Sequence, residues 1–201
     1  MSQLCKRIIG LTGGIATGKT SVSSYIKRHF SIPVLDADAY ARNEIRLNST
    51  LSKLIKQRYG KSIYLENGDL DYQRLGNIIF YDVKQKEWLE NKIHPYVKQI
   101  FITEIKKSKS RTLILDLPLL FESKLTFLVT EIWIVYCNEQ EQLKRLMKRN
   151  SLNKKDGIIR MKNQLPFKDK VKTADYILDN SSTFENLYIQ INEVIRKTDL
   201  Y

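Results

Sequence analysis

Residues 13 to 20 read Gly-Gly-Ile-Ala-Thr-Gly-Lys-Thr: a glycine, four residues, then Gly-Lys-Thr. That order matches the phosphate-binding loop pattern G-x-x-x-x-G-K-[ST]. Gly13 and Gly18 permit turns that a Cβ would block, so successive backbone N–H groups can face a phosphate. Lys19 supplies a charge for the β- and γ-oxygens, and the Thr20 hydroxyl suits Mg²⁺. Gly14, Ala16, Thr17 and Ser21 complete the expected cradle, and the helix that follows turns its positive end toward the anion. The expected ligand is ATP or GTP.

A nucleotide loop alone does not separate a switch from a kinase. Guanine-selective switches require N-K-x-D and D-x-x-G elements. Asn91-Lys92-Ile93-His94 lacks the aspartate, and the chain holds no D-x-x-G. A kinase for a small alcohol needs instead a carboxylate near the accepting hydroxyl and cations around the transferring phosphoryl group. Asp36-Ala37-Asp38 can supply the first: one side chain accepts a proton while its neighbour orders water or Mg²⁺. The same pair could equally cap a helix starting near Ala39.

Arg149, Arg160 and Gln164 flank a polar stretch, 150–157, and together they read as a lid over the phosphates. Arginine suits forked contact with phosphate oxygens. From Glu139 to Lys172 eleven lysines and arginines face four acidic residues, which fits a polyanionic ligand or a solvated helical surface. His94, followed by Pro95, reads more simply as a structural hydrogen bonder than as a catalyst.

Five short apolar runs provide the frame. Lys6–Thr12 precedes the phosphate loop, and Pro33–Asp36, Thr112–Asp116, Glu131–Tyr136 and Asp175–Leu178 follow it. Such runs, separated by helical segments, predict an α/β fold with a five-stranded parallel sheet flanked by helices. Ligands bind at the carboxyl ends of such strands. The phosphate loop, Asp36-Ala37-Asp38, Asp116-Leu117-Pro118 and Asp179-Asn180 all fall there. Residues 39–110 are too long for one crossover, and their periodicity predicts a helical insertion. Within it a helix ends at Gly60, a turn falls at Asn67-Gly68-Asp69, and a long helix is broken or bent near Pro95. Leu143, Leu146 and Met147 mark a further helix. Ser182-Thr183-Phe184-Glu185 reads as a capping box for the last.

With 201 residues, 42% of them hydrophobic, the chain suits one globular domain with an insertion. No apolar run is long enough to span a membrane. The first glycines come too early for a signal-peptide core. Cys5 and Cys137, without a C-x-x-C, fit reduced thiols in a cytoplasmic protein. The net charge of +12 admits nucleic acid as a partner, but no zinc-finger spacing or RNA-recognition signature accompanies it.

Taken in order, these elements resemble the dephospho-CoA kinase family. The resemblance runs through residues 9–15, Gly18-Lys19-Thr20, Asp36-Ala37-Asp38 with Ala41-Arg42, and Asn67-Gly68-Asp69-Leu70-Asp71. It continues through Ile93-His94-Pro95, Pro118-Leu119-Leu120-Phe121-Glu122, Arg149, Arg160, Gln164, Ala174-Asp175-Tyr176 and Asp179-Asn180. It implies a P-loop kinase core spanning 1–201, with a helical CoA domain (about 39–110) and a lid (about 149–165). The implied reaction is ATP-dependent, Mg²⁺-assisted phosphorylation of the 3′-hydroxyl of dephospho-CoA, in a cytoplasmic monomer or weak homo-oligomer without nucleic acid or membrane. Carried over by position, Asp38 is the general base, and Lys19 and Arg149 are catalytic cations. Asn180 joins the ATP site. Asp36, Arg42, His94, Pro118, Leu119, Glu122, Arg160 and Gln164 fall to the acceptor side. Ala16 departs from a common glycine, Thr17 and Thr20 from serines, and Tyr72 from an arginine. A shikimate-type kinase, or a basic nucleotide-dependent nucleic-acid binder, are the alternative readings.

Overall fold

The computed structural model describes residues 6–197. Cys5 lies outside them. The described chain divides into two compact units, one of residues up to 36 with those from 107 onward, the other of residues 37–106.

The first unit is built on a parallel sheet. Its strands are β1 (Arg7–Gly13), β2 (Val34–Asp36), β3 (Thr112–Asp116), β4 (Glu131–Tyr136) and β5 (Tyr176–Asp179), in the order β2-β3-β1-β4-β5. All five expected runs form strands. β5 starts one residue later than the apolar pattern suggests, because Asp175 is engaged at the edge of β4, where its Oδ2 accepts from the Ile132 N–H at 2.7 Å.

Alternation along these strands feeds a core on one face. Ile9, Leu11, Ile114, Trp133, Val135 and Leu178 pack there against α1 (Lys19–His29) and α9 (Phe184–Lys197). Those helices contribute Val22, Ile26, Leu187, Ile191 and Ile195, and all five are fully buried. Each such side chain is worth about 1.5–3 kcal/mol of transfer free energy. The cap of α9 is Thr183, whose Oγ1 accepts from Asn186 N at 3.3 Å; the expected Ser182 box sits one residue too early. The other face carries Ile134 and Tyr136. They line a cavity of about 820 Å³ with residues of α6 (Glu139–Asn150), α7 (Lys154–Lys162) and α8 (Phe167–Lys170).

Strand order places β1 at the centre. From β1 the chain crosses to β2, returns through β3, and later moves to β4 and β5 on the opposite side. The crevice beyond the carboxyl end of β1 is therefore the switch point where ligands enter open α/β sheets.

The second unit is helical: α2 (Ala37–Leu47), α3 (Ser49–Tyr59), α4 (Tyr72–Tyr81) and α5 (Val83–Lys107), which ends one residue beyond it. Asn48 and Asp71 cap α3 and α4 through their side-chain oxygens. Gly60 follows α3 with φ 83°, as its sequence position predicted. The Asn67-Gly68-Asp69 turn closes with Leu65 N donating to Asp69 O at 2.8 Å. Ile45, Ile55, Ile63, Leu75, Leu89 and Phe101 are buried. Of the break or bend expected near Pro95, the break does not occur: α5 runs as one helix from Val83 to Lys107 with Pro95 inside it. Ile93, Val97 and Phe101 on both sides of the proline are buried, so packing offsets the missing backbone bond.

Candidate active site

The phosphate loop leaves β1 at Gly13 and enters α1 at Lys19. It is folded inward by Thr17, whose N–H and Oγ1 both donate to Gly14 O, at 3.2 and 2.9 Å. Gly18 is the N-cap of α1, with φ 99°, and so offers no capping side chain. A Cβ there would stand 2.0 Å from Asn180 Nδ2. Asn180 follows β5; it is 1% exposed, and its Nδ2 donates to Thr17 O at 2.8 Å. Its Oδ1 is buried without a hydrogen-bond partner, an acceptor left open beside the loop.

These features fit a nucleoside triphosphate. The first turn of α1 holds no acidic residue; the Ser21 N–H turns back to Gly18 O at 2.8 Å, whereas Lys19 and Thr20 stand too early in the helix for an i to i−4 bond. Lys19, Thr20 and Ser21 occupy that turn, with Thr20 exposed. Lys19 Nζ is ion-paired with Asp116 at the end of β3. Asp116 is 3% exposed and stands in register with Leu11 of β1 and Asp36 of β2. The two carboxylates thus occupy one row on neighbouring strands, and Lys19 neutralises one of them. In the sequence Asp116 was visible as part of Asp116-Leu117-Pro118 at the ligand-binding end of a strand, without a partner assigned. Its pairing with Lys19 depends on strand order.

A divalent ion has few protein ligands. Among the described residues no group of three His, Cys, Asp or Glu side chains is placed to hold one. The Thr20 hydroxyl suits a hydrated ion carried mainly by phosphate oxygens.

The basic segment is more ordered than its composition suggested. Arg149 lies in the last turn of α6 and Arg160 on α7. The turn between these helices is short, with Ser151 left-handed and Asn153 capping α7. Lys154 to Gly157 are helical rather than loop. Gly157 lets α7 approach α6, since a Cβ there would meet Leu143 at 2.6 Å. Arg160, expected on the lid, is 8% exposed. The Arg149 pKa is lowered, by burial first and then by the charge of Arg160. Gln164 lies beyond the end of α7 rather than on it. Its Oε1 accepts from Ile15 N in the phosphate loop at 2.7 Å.

Glu122 is tied to the same region. Its Oε1 accepts from Leu165 N at 3.1 Å and pairs with Lys170 Nζ at 2.9 Å. Pro118 and Leu119 serve through their carbonyls: Pro118 O accepts from Thr12 Oγ1 at 3.4 Å, and Leu119 O from Ser123 Oγ at 2.6 Å. Cys137 is a free, buried thiol, and burial pushes its pKa up.

In the helical unit, Asp38 occupies the first turn of α2, where the helix dipole favours a carboxylate. Arg42 follows one turn later. With Arg46, Tyr64, Leu65, Leu70 and Tyr72 it lines a cavity of about 620 Å³. The Tyr72 pKa is raised by burial, with Arg42 opposing the shift. Arg74 does not join this cavity: it pairs with Asp71 at 3.0 Å and donates to Ser62 O at 2.8 Å. His94 lies on α5, and burial lowers its pKa, with Lys86 adding to the effect.

A parallel sheet whose central strand opens into a glycine-rich loop, with the loop lysine held by an aspartate of the neighbouring strand, defines a P-loop nucleotide-binding fold. The family model for dephospho-CoA kinase matches residues 7–186, and the chain belongs to that family. A dephospho-CoA kinase from Trichormus variabilis is 48% identical over 189 residues, covering 94% of this chain and 96% of the relative. Among solved structures, TT1252 from Thermus thermophilus superposes with a TM-score of 0.77 at 28% identity, covering 96% of this chain and 97% of that one. The dephospho-CoA kinase of Campylobacter jejuni shares the fold, with a TM-score of 0.65 at 24% identity, covering 96% and 97%.

Proposed function

We propose that this chain transfers the γ-phosphoryl group of ATP to the 3′-hydroxyl of dephospho-CoA, giving CoA and ADP, the last step of CoA biosynthesis. Membership of the dephospho-CoA kinase family, matched from residue 7 to 186, carries this reading. The complete phosphate loop and its lysine–aspartate pair support it.

The loop from Gly13 to Ser21 holds the triphosphate, with backbone N–H groups and the start of α1 as donors. Lys19 moves its charge from Asp116 toward the β- and γ-oxygens. Asn180 Oδ1, an open acceptor, suits an N–H of the nucleoside. Asp38 accepts the proton of the attacking hydroxyl as its oxygen bonds to the γ-phosphorus, while the bond from that phosphorus to the β,γ-bridging oxygen breaks. Arg149 and Arg160, which repel each other in the free protein, lose that repulsion when phosphate oxygens lie between them. The Thr20 hydroxyl would help to hold a hydrated Mg²⁺, which would supply positive charge against the charge that develops on the phosphoryl oxygens.

On the acceptor side, the cavity of the helical unit offers Arg42 and Arg46 to the diphosphate of dephospho-CoA. Leu65, Leu70 and Tyr72 offer apolar surface to its pantetheine arm. A cytoplasmic setting, as a monomer or weak homo-oligomer, goes with this reading.

The test is direct. The protein is incubated with Mg·ATP and dephospho-CoA, and the product is weighed by mass spectrometry. A gain of one phosphoryl group, with ADP released in equal amount, supports the assignment. Phosphorylation of shikimate with dephospho-CoA untouched would overturn it.

A further inference from the structure

The tip of the phosphate loop is gripped from outside by two glutamines. Ile15 N–H donates to Gln164 Oε1 and Ile15 C=O accepts from Gln142 Nε2, both at 2.7 Å. Backbone polarity is fixed, so each amide has one possible orientation: Gln164 must present its oxygen and Gln142 its nitrogen. The two come from separate elements. Gln142 lies in the first turn of α6, and Gln164 follows α7, held to it by its own N–H bonding to Met161 O at 3.3 Å.

The next residue explains why a grip is needed. Ala16 has φ 60°, in the left-handed region. For a residue with a Cβ this conformation costs about 1–2 kcal/mol. A short loop closed only on the C-terminal side of Ala16, by the two bonds from Thr17 to Gly14 O and by Asn180 Nδ2 to Thr17 O, could relax that residue to negative φ. Doing so would turn the peptide planes on either side, and with them the N–H groups that must face the phosphates. Ile15 is the residue immediately before the strained one, and both of its backbone polar groups are pinned.

We infer that Gln142 and Gln164 are positioning residues for ATP: they hold the Ile15 backbone so that left-handed Ala16 keeps the phosphate loop in its receptive form. They act through the loop and are not catalytic residues. Because Gln164 is attached to the helix that bears Arg160, the same bond ties that helix to the loop. This inference rests on ATP being the donor.

The test uses Gln142→Met and Gln164→Met, which keep side-chain length and remove the amide. Each is combined with Ala16→Gly, which removes the left-handed penalty. Dissociation constants for a fluorescent ATP analogue are measured together with melting temperatures and the KM for dephospho-CoA. Each Met variant should weaken nucleotide binding by about 3–10-fold, the loss of one such hydrogen bond. In Gln142→Met, whose side chain has no part in the acceptor site, the KM for dephospho-CoA should stay within about twofold. Ala16→Gly should restore most of the lost affinity in either Met background, a gain larger than its effect on the wild type. If Ala16→Gly shifts all three backgrounds by one common factor, the grip and the strained residue are uncoupled and the inference falls. Unchanged nucleotide affinity in both Met variants also overturns it. Because binding rather than turnover is read, failure of dephospho-CoA as acceptor would leave this result intact. Absence of nucleotide binding by the wild type would instead sink the proposed reaction.

Discussion

Gly18→Ala tests the geometry of the nucleotide site through stability alone. Two costs add at this residue. The backbone is left-handed, with φ 99°, and a Cβ in that region costs about 1–2 kcal/mol. The new methyl would also lie 2.0 Å from Asn180 Nδ2, so the buried amide must leave its 2.8 Å bond to Thr17 O. Stranding those groups costs about 1–3 kcal/mol. The expected total is about 2–5 kcal/mol, a fall in Tm of roughly 5–15 °C for a chain of this size. Asn180→Ala separates the two terms. In that background the methyl has room, so Gly18→Ala should cost only the conformational share, about 1–2 kcal/mol. The four proteins would be compared by urea and thermal unfolding followed by circular dichroism. Strict additivity across the cycle would show that Asn180 does not press on Gly18. A Gly18→Ala protein melting within about 1 °C of wild type would refute the whole argument, since ~1 °C corresponds to well under 1 kcal/mol.

Asp38→Asn keeps shape and removes the base; kcat should fall by about 10²–10⁴-fold with ATP affinity little changed, and equal kcat would remove Asp38 from the chemistry. Arg149→Ala should lower both kcat and ATP affinity, because its contacts strengthen as charge moves to the leaving phosphate, while Lys154→Ala, exposed at the start of α7, should leave both unchanged. Hydrogen exchange over residues 149–164 should slow with a non-hydrolysable ATP analogue, and equal exchange at saturation would exclude a lid. His94 has a folded pKa below the usual histidine value of 6.5, so its neutral form is favoured by folding. Its contribution to stability is full above that value and is lost as pH falls toward the folded pKa. Unfolding free energies measured between about pH 7.5 and 5.5 should therefore decline on acidification, and less steeply in His94→Gln; parallel slopes would contradict the assignment.

Much of this site is a local matter and was legible in order along the chain. Gly13 to Thr20 declare a phosphate loop because glycine, lysine and threonine each meet a need inside eight consecutive residues. The five strands were legible because buried parallel strands require unbroken apolar runs, and Thr112–Asp116 and Glu131–Tyr136 match their expected limits. Capping and turn chemistry at Gly60 and Gly68 is likewise local. What tertiary structure decided involves partners far apart in sequence. Asp116 became the partner of Lys19 because β3 lies beside β1, an order no periodicity encodes. Asn180 shapes the loop at Gly18 only because β5 brings the chain back beside it. Gln142 carried no signal at all: a polar residue in the first turn of a basic helix looks like solvated surface until Ile15 O is found beneath it. Pro95 left a break or a bend open, and the choice against a break was also made by tertiary packing. The local penalty was read correctly, but buried neighbours on both sides of it outweigh one missing hydrogen bond. Short-range stereochemistry is written in residue type and spacing, whereas the pairing of distant polar groups is settled only when the sheet order brings them within bonding reach.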